Sequence, residues 1–178
     1  MGDFPASWFW GSSGVISSLG GESSVSDVQD IQGATTAAAA WPSANRAVAV
    51  AFYLDQPATI VKASWINGGT VNGNVDVGVY DEQFHRLVSS GSTAQSGASV
   101  VQTVDIADTL LKPGTYFMAL VSSSATATFD RSSIDLVLTR CHAHVQMATA
   151  LPLPSTFVPA APASSYVPTI VLHMQTTV

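Results

Sequence analysis

Residues 73–80, GNVDVGVY, carry the sharpest two-residue repeat in the 178-residue chain. Successive side chains of a β-strand point to opposite faces, so one face of this segment carries three valines and the other carries Asp76, Gly78 and Tyr80. The valine face is suited to a hydrophobic core. Gly78 also allows another part of the protein to approach the strand closely, because it has no side chain. The stretch therefore predicts a strand with at least one buried face.

The same texture continues from residue 47 to the end of the chain. Short apolar segments, separated by turn signals about every 8–12 residues, predict a series of strands rather than helices. The additional strands are expected at 47–54, 59–66, 84–89, 100–106, 116–122, 125–129, 134–145 and 169–178. The series predicts an all-β fold, an antiparallel β-sandwich or jelly roll.

Two segments depart from this pattern. Residues 1–46 are rich in Gly, Ser and Ala and predict an extended N-terminal arm with short local structure, in which the alanines at 37–40 suit one helical turn. Residues 148–168 contain five prolines, which remove donors from a β-ladder, so this stretch is expected to be an extended segment held down by its apolar side chains. The sandwich domain is accordingly predicted to span 47–178.

Charge is scarce in this protein. Charged residues make up 10% of the sequence, against about 25% in a typical soluble domain, and hydrophobic residues make up 47%. A surface with so little charge favours burial against neighbouring subunits. The net charge of −6 offers no electrostatic footprint for a phosphate backbone, so no nucleic-acid partner is expected.

The remaining bulk features concern location and redox state. No apolar run reaches about 18 residues, so no membrane span is expected, and the start of the chain lacks the features of a secretory signal. We expect synthesis in the cytoplasm without export. Cys141 is the single cysteine, which rules out an internal disulfide.

Large aromatic residues occur in the predicted arm. They need a hydrophobic place to pack, either on the core of their own domain or in a neighbouring subunit. We predict that they are interface anchors in a homo-oligomer such as a trimer. The four anchors are Trp8, Phe9, Trp10 and Trp41.

The strongest candidates for metal binding or catalysis are histidines. His142 and His144 would share one face of a strand, as in the metal sites of cupin-type jelly rolls, and His173 is the candidate third ligand. The glutamate that follows in cupins is missing, because Gln146 and Met147 stand there. No G-x-S-x-G nucleophile motif occurs. We therefore expect no metal site, no cofactor and no enzymatic activity.

Residues 73–120 resemble a β-sandwich pattern of structural proteins from tailed bacteriophages. The resemblance lies in the strand at 77–81, the Gly- and Ser-rich loop at 91–97, and the segment at 111–120, LKPGTYFMAL. It implies a virion component, made in the host cytoplasm, without choosing among decoration proteins, fibres, spikes and tail accessory proteins.

Three functions follow as hypotheses. The first is a phage virion structural protein, a capsid decoration or accessory protein whose partners include the major capsid protein. The second is a receptor- or carbohydrate-binding module of a tail fibre or spike, with Trp65 as the platform that stacks on a sugar. The third is a metal-dependent jelly-roll enzyme built on the three histidines.

Overall fold

A computed structural model describes residues 16–18, 23–26, 37–133, 144–148, 151–161 and 166–176. These residues form β-strands joined by turns and loops. The strands are β1 (Ile16–Ser18), β2 (Ser23–Ser26), β3 (Ala37–Ala40), β4 (Arg46–Leu54), β5 (Ala58–Ile66), β6 (Asn74–Tyr80), β7 (Arg86–Ser89), β8 (Thr93–Ala94), β9 (Val101–Leu111), β10 (Gly114–Ser122), β11 (Thr128–Ser133), β12 (His144–Ala148), β13 (Tyr166–Pro168) and β14 (Ile170–Thr176). In this part of the chain, no helix has the length and hydropathy needed to cross a bilayer.

The strands form three antiparallel sheets. The first sheet has the order β1-β2-β14-β5-β9, and the second has the order β12-β4-β10-β6-β7, with β8 also paired to β6. Four strand pairs are nested in the sequence and alternate between these two sheets: β2 with β14, β4 with β10, β5 with β9, and β6 with β7. This is the winding of a jelly roll, in which one long hairpin wraps around a common core. The predicted fold class is confirmed.

The core lies between the first and second sheets. All three valines of β6 face it, together with alternate residues of β4, β5, β10 and β14, as the two-residue period requires. Trp65 and Phe52 are among the largest side chains there. The residues of the opening stretch therefore have the orientation that their alternation predicts.

The second sheet is apolar on its outer face as well. Short side chains of β4 and β10 line that face, and Tyr80 lies beside them. Residues 151–161, which we call the strap, run across it and bury Leu153 and Phe157. A Cβ atom at position 78 would lie 3.1 Å from Leu153 Cδ1 and 2.8 Å from the carbonyl oxygen of Val88. The close approaches expected at Gly78 are made by β7 and by the strap.

The third sheet, with the order β13-β11-β3, packs against the same core. The alanines at 37–40 pair with β11 as a strand, so the expected helical turn is wrong. Alanine favours helices in isolation, but here the backbone groups of these residues complete a sheet. Trp41 follows directly and is buried, so the packed domain begins before residue 47.

Parts of the expected arm also belong to a sheet. β1 and β2 form a hairpin, and β2 pairs with β14 at the edge of the first sheet. Trp8, Phe9 and Trp10 lie outside the described residues, as does most of the strand expected at 134–145.

Replacing Gly78 by alanine tests how closely β7 and the strap pack around β6. The added methyl group would meet the Val88 carbonyl oxygen and Leu153, so we expect the free energy of unfolding to fall by about 1–3 kcal/mol. Urea denaturation measures this change. Gly69→Ala is the matched control, because a Cβ at Gly69 has no neighbour within 4 Å. Equal stability of the two variants would contradict the packing described here.

Candidate assembly surface

Three loops meet at one end of the sandwich. They are residues 67–73 between β5 and β6, 90–100 between β7 and β9, and 123–127 between β10 and β11. Asn72 Nδ2 donates to Ser124 Oγ (3.0 Å), and the Asn72 N–H donates to Gln95 Oε1 (2.8 Å), so the first loop is bonded to both others. The loops therefore form one continuous surface.

This surface carries no charge, since the three loops contain no Asp, Glu, Lys, Arg or His. The turns at the opposite ends of the same strands carry Asp55, Asp81, Glu82 and Lys112. The charged turns and the neutral loops therefore lie at opposite ends of the jelly roll. Because charged residues are depleted at the centres of protein interfaces, the neutral end is the better suited of the two to burial.

The exposed side chains of the neutral end are small or polar, with two larger apolar ones. Val100 is the last residue of the loop at 90–100, and Val101 is the first residue of β9. Val101 is 60% accessible to solvent. Around them lie exposed hydroxyl, amide and methyl groups: Thr70, Asn72, Ser92, Ala94, Ser96, Ala98, Ser99, Ala125 and Thr126. We call these residues and the two valines the neutral surface.

Asn67 holds the neutral surface together from below. Its side chain is fully buried, and its Oδ1 accepts hydrogen bonds from Trp65 Nε1 (2.8 Å) and Gln95 Nε2 (3.0 Å). Its Nδ2 donates to the carbonyl oxygen of Ser96 (2.7 Å) and to Gln102 Oε1 (3.0 Å). One amide thus joins the end of β5 to the longest loop and to β9. The shape of the loop at 90–100 therefore depends on hydrogen bonds to the buried side chain of Asn67.

Substitution of Asn67 by alanine should loosen this network. The indole N–H of Trp65 would lose its acceptor in a buried site, and we expect a loss of about 2–3 kcal/mol in the free energy of unfolding. Chemical denaturation followed by tryptophan fluorescence measures it. Asn72→Ala, which removes an exposed loop amide, should change stability by no more than about 1 kcal/mol. A similar loss in both variants would argue against a hub at Asn67.

Asp76 is a buried carboxylate on the otherwise apolar outer face of the second sheet. Its Oδ2 accepts from the Leu153 N–H (2.8 Å) and its Oδ1 from the Ser90 hydroxyl (3.1 Å). Burial raises the pKa of this carboxyl above its ordinary value of 3.8, while both hydrogen bonds and the positive charge of Arg86 act in the opposite direction. Asp76 links β6 to the strap and to Ser90, directly after β7, and burial disfavours its charged form.

The raised pKa of Asp76 predicts how stability changes with pH. A group with a raised folded-state pKa favours the protonated folded protein, so its contribution is complete below pH 3.8 and is lost as the pH rises through the raised value. Asp76→Asn keeps an oxygen acceptor and removes the charge. We therefore expect wild-type stability to fall relative to this variant as the pH is raised from 3.8 upward, as measured by urea denaturation. A difference that stays constant over this range would contradict the assignment.

Two tryptophans predicted to act at the surface are core residues instead. Trp41 is 2% exposed, and its ring packs edge-on against Phe129 (5.3 Å between centroids) and Tyr166 (5.2 Å). It cannot anchor a neighbouring subunit, because its own core encloses it. Trp65 is 0% exposed and donates to Asn67, so it cannot stack on a sugar. Both predictions are wrong for the same reason, since the sandwich closes over these rings.

Two of the three candidate histidines, His144 and His173, lie in different sheets. His144 is in β12, opposite Val50 in the second sheet, whereas His173 is in β14, opposite Lys62 in the first sheet. His173 Nε2 is hydrogen-bonded to Ser64 Oγ at 2.7 Å. His142 lies outside the described residues. Within the part of the chain that is described, no three His, Cys, Asp or Glu residues are grouped as metal ligands.

Some residues of this surface could have been found from the sequence, and others could not. The absence of charge in the loops is visible in the letters of residues 88–104, VSSGSTAQSGASVVQTV. The buried roles of Asn67 and Gln95 are not, because an Asn-Gly-Gly turn and a polar loop both suggest solvent-exposed amides. The unusual position of Asp76 could have been recognised from the sequence, because it is the one charged residue in a strand of valines.

No protein-family model matches the chain. No curated protein matches it at a significant level either.

Proposed function

We propose that this protein is a structural component of a bacteriophage virion, a capsid decoration or accessory protein that acts through contacts between subunits. The neutral surface is the observation that carries this proposal. A folded domain that places its charged turns at one end and three charge-free loops at the other can bury those loops without desolvating a charge of their own; Arg46, at the start of β4, stands beside them and is bonded to Ser43 Oγ and Gln146 Oε1. We propose that this end faces a neighbouring subunit, first of all another copy of the same chain.

The rigidity of the neutral surface supports the same proposal. Its loops are bonded to one another through Asn72, Gln95 and Asn67, and Ser99 N–H donates to the Gly68 carbonyl oxygen at 2.9 Å. A surface that is already ordered loses little conformational entropy when it binds. Repeated contacts in a particle favour such preorganised surfaces.

The resemblance to phage structural proteins supports a virion role through the same region. The Gly- and Ser-rich loop that carries the resemblance, residues 91–97, contributes Ser92, Ala94 and Ser96 to the neutral surface. The arm residues Trp8, Phe9 and Trp10 stay predicted anchors. Trp65 is buried, so it cannot be the sugar-stacking platform of the carbohydrate-binding alternative. His144 and His173 lie in different sheets, so the enzyme alternative lacks this pair of metal ligands.

A charge placed on the neutral surface tests the proposal. Val101→Asp would bury an unpaired carboxylate at the contact, so we expect the dissociation constant of the oligomer to rise by at least about tenfold. Light scattering over a range of protein concentrations measures it. Leu110→Asp is the matched control, because Leu110 is 57% exposed and lies at the opposite end of the same strand, β9.

The outcomes separate clearly. Weakened association in Val101→Asp alone supports assembly through the neutral surface. Equal weakening in both variants contradicts the choice of this end. A wild-type protein that stays monomeric at high concentration, both alone and with capsid shells, contradicts the assembly function.

A further inference from the structure

The first half of the strap is held by side chains of β6 and β7. Asp76 Oδ2 accepts from the Leu153 N–H at 2.8 Å, and the Arg86 guanidinium donates to the carbonyl oxygen of the same leucine. The Tyr80 hydroxyl donates to the Pro154 carbonyl oxygen at 2.8 Å. Leu153 is thus bonded through both of its backbone groups to two oppositely charged side chains.

The second half is held by backbone bonds at separate points. The Arg86 N–H donates to the Ser155 carbonyl oxygen (2.8 Å), and the Phe157 N–H donates to the Phe84 carbonyl oxygen (2.9 Å). Farther along, Ala160 and Gln146 exchange a pair of backbone bonds at the edge of β12. These bonds do not form a continuous ladder, because Pro152, Pro154 and Pro159 have no N–H to donate.

The strap buries only part of its own apolar surface. Leu153 and Phe157 point into the sheet, and the Phe157 ring contacts Tyr80 (5.5 Å between centroids) and Phe84 (6.0 Å). Val158 points outward and is 67% exposed. Beneath the strap, the sheet presents a face made of small and aromatic side chains. This face comprises Ala47, Ala49, Tyr80, Phe117, Ala119, Val121, Val145 and Met147.

We propose that the strap opens as a unit while the jelly roll stays folded, with Asp76 as its latch. Eleven residues are ordered by two buried apolar side chains, the partly buried Leu151 and a set of separate hydrogen bonds. By contrast, β10 in the sheet below is bonded along its length to β4 and β6. Local opening is expected where ordered backbone is held by few buried contacts.

Opening changes what the protein exposes. It uncovers the apolar face of the second sheet, and the closed strap keeps that face away from solvent and from other chains. The strap itself has no ionisable side chain, and its prolines prevent it from pairing as a regular strand edge when it is open. Opening of the strap does not involve the neutral surface, which lies at the end of the jelly roll formed by the three loops.

Hydrogen exchange of the intact protein, resolved to single amides, tests the proposal. In the wild type we expect the amides of Leu153 and Phe157 to exchange faster than those of Met118 and Leu120 in β10, and at rates that change little with low urea. Asp76→Ala removes the acceptor of the Leu153 N–H and should accelerate exchange in the strap by about tenfold or more, while β10 is unchanged. Asp55→Ala is the matched control, because it removes the same charge from an exposed turn.

A second variant covers the case in which Asp76→Ala does not fold. Tyr80→Phe keeps the ring and removes only the bond to Pro154, so a several-fold acceleration confined to the strap is expected. Strap and β10 amides that exchange at the same rate, and respond to urea together, would overturn the proposal. Strap exchange unaffected by both substitutions would overturn the role of the latch.

Discussion

The structure depends on one constraint, which is that the second sheet is apolar on both faces. Alternation in β6 places valines toward the sandwich core, but Gly78 and Tyr80 on its other side are buried as well. A two-sheet sandwich covers only one face of each sheet. The outer face of the second sheet therefore needs another cover, and the strap supplies it with a segment whose prolines prevent it from becoming a strand of either sheet.

The cover brings a polar problem with it. An extended segment that lies flat on a sheet leaves backbone groups that no ladder satisfies, and buried groups of this kind need partners. Asp76, Arg86 and Tyr80 provide these partners from the sheet below. A carboxylate on an apolar face is unfavourable by itself, and its burial makes sense only because the strap offers an N–H to it. The same logic applies at the loop end, where Asn67 serves the loops from beneath.

The two polar networks have different consequences. The Asn67 network fixes loops that face outward without charge, and so it shapes the surface that we propose for assembly. The Asp76 network holds the strap over apolar side chains, and so it limits exposure of the outer face of the second sheet, which is more hydrophobic than the neutral surface. In a protein with few charges, these two networks keep the neutral surface exposed and the apolar outer face of the second sheet covered.

The sequence by itself determined the all-β class and the approximate course of most strands of the sandwich, because side-chain alternation with a period of two reports local burial. It also indicated that the Pro-rich segment would pack down, and that Gly78 marked a close approach. Tertiary structure alone decided the nested strand order, the pairing of the alanines at 37–40, and the burial of Trp41 and Trp65. The physical reason is that pairing partners and enclosure are set by contacts between residues far apart in the chain, on which local periodicity carries no information.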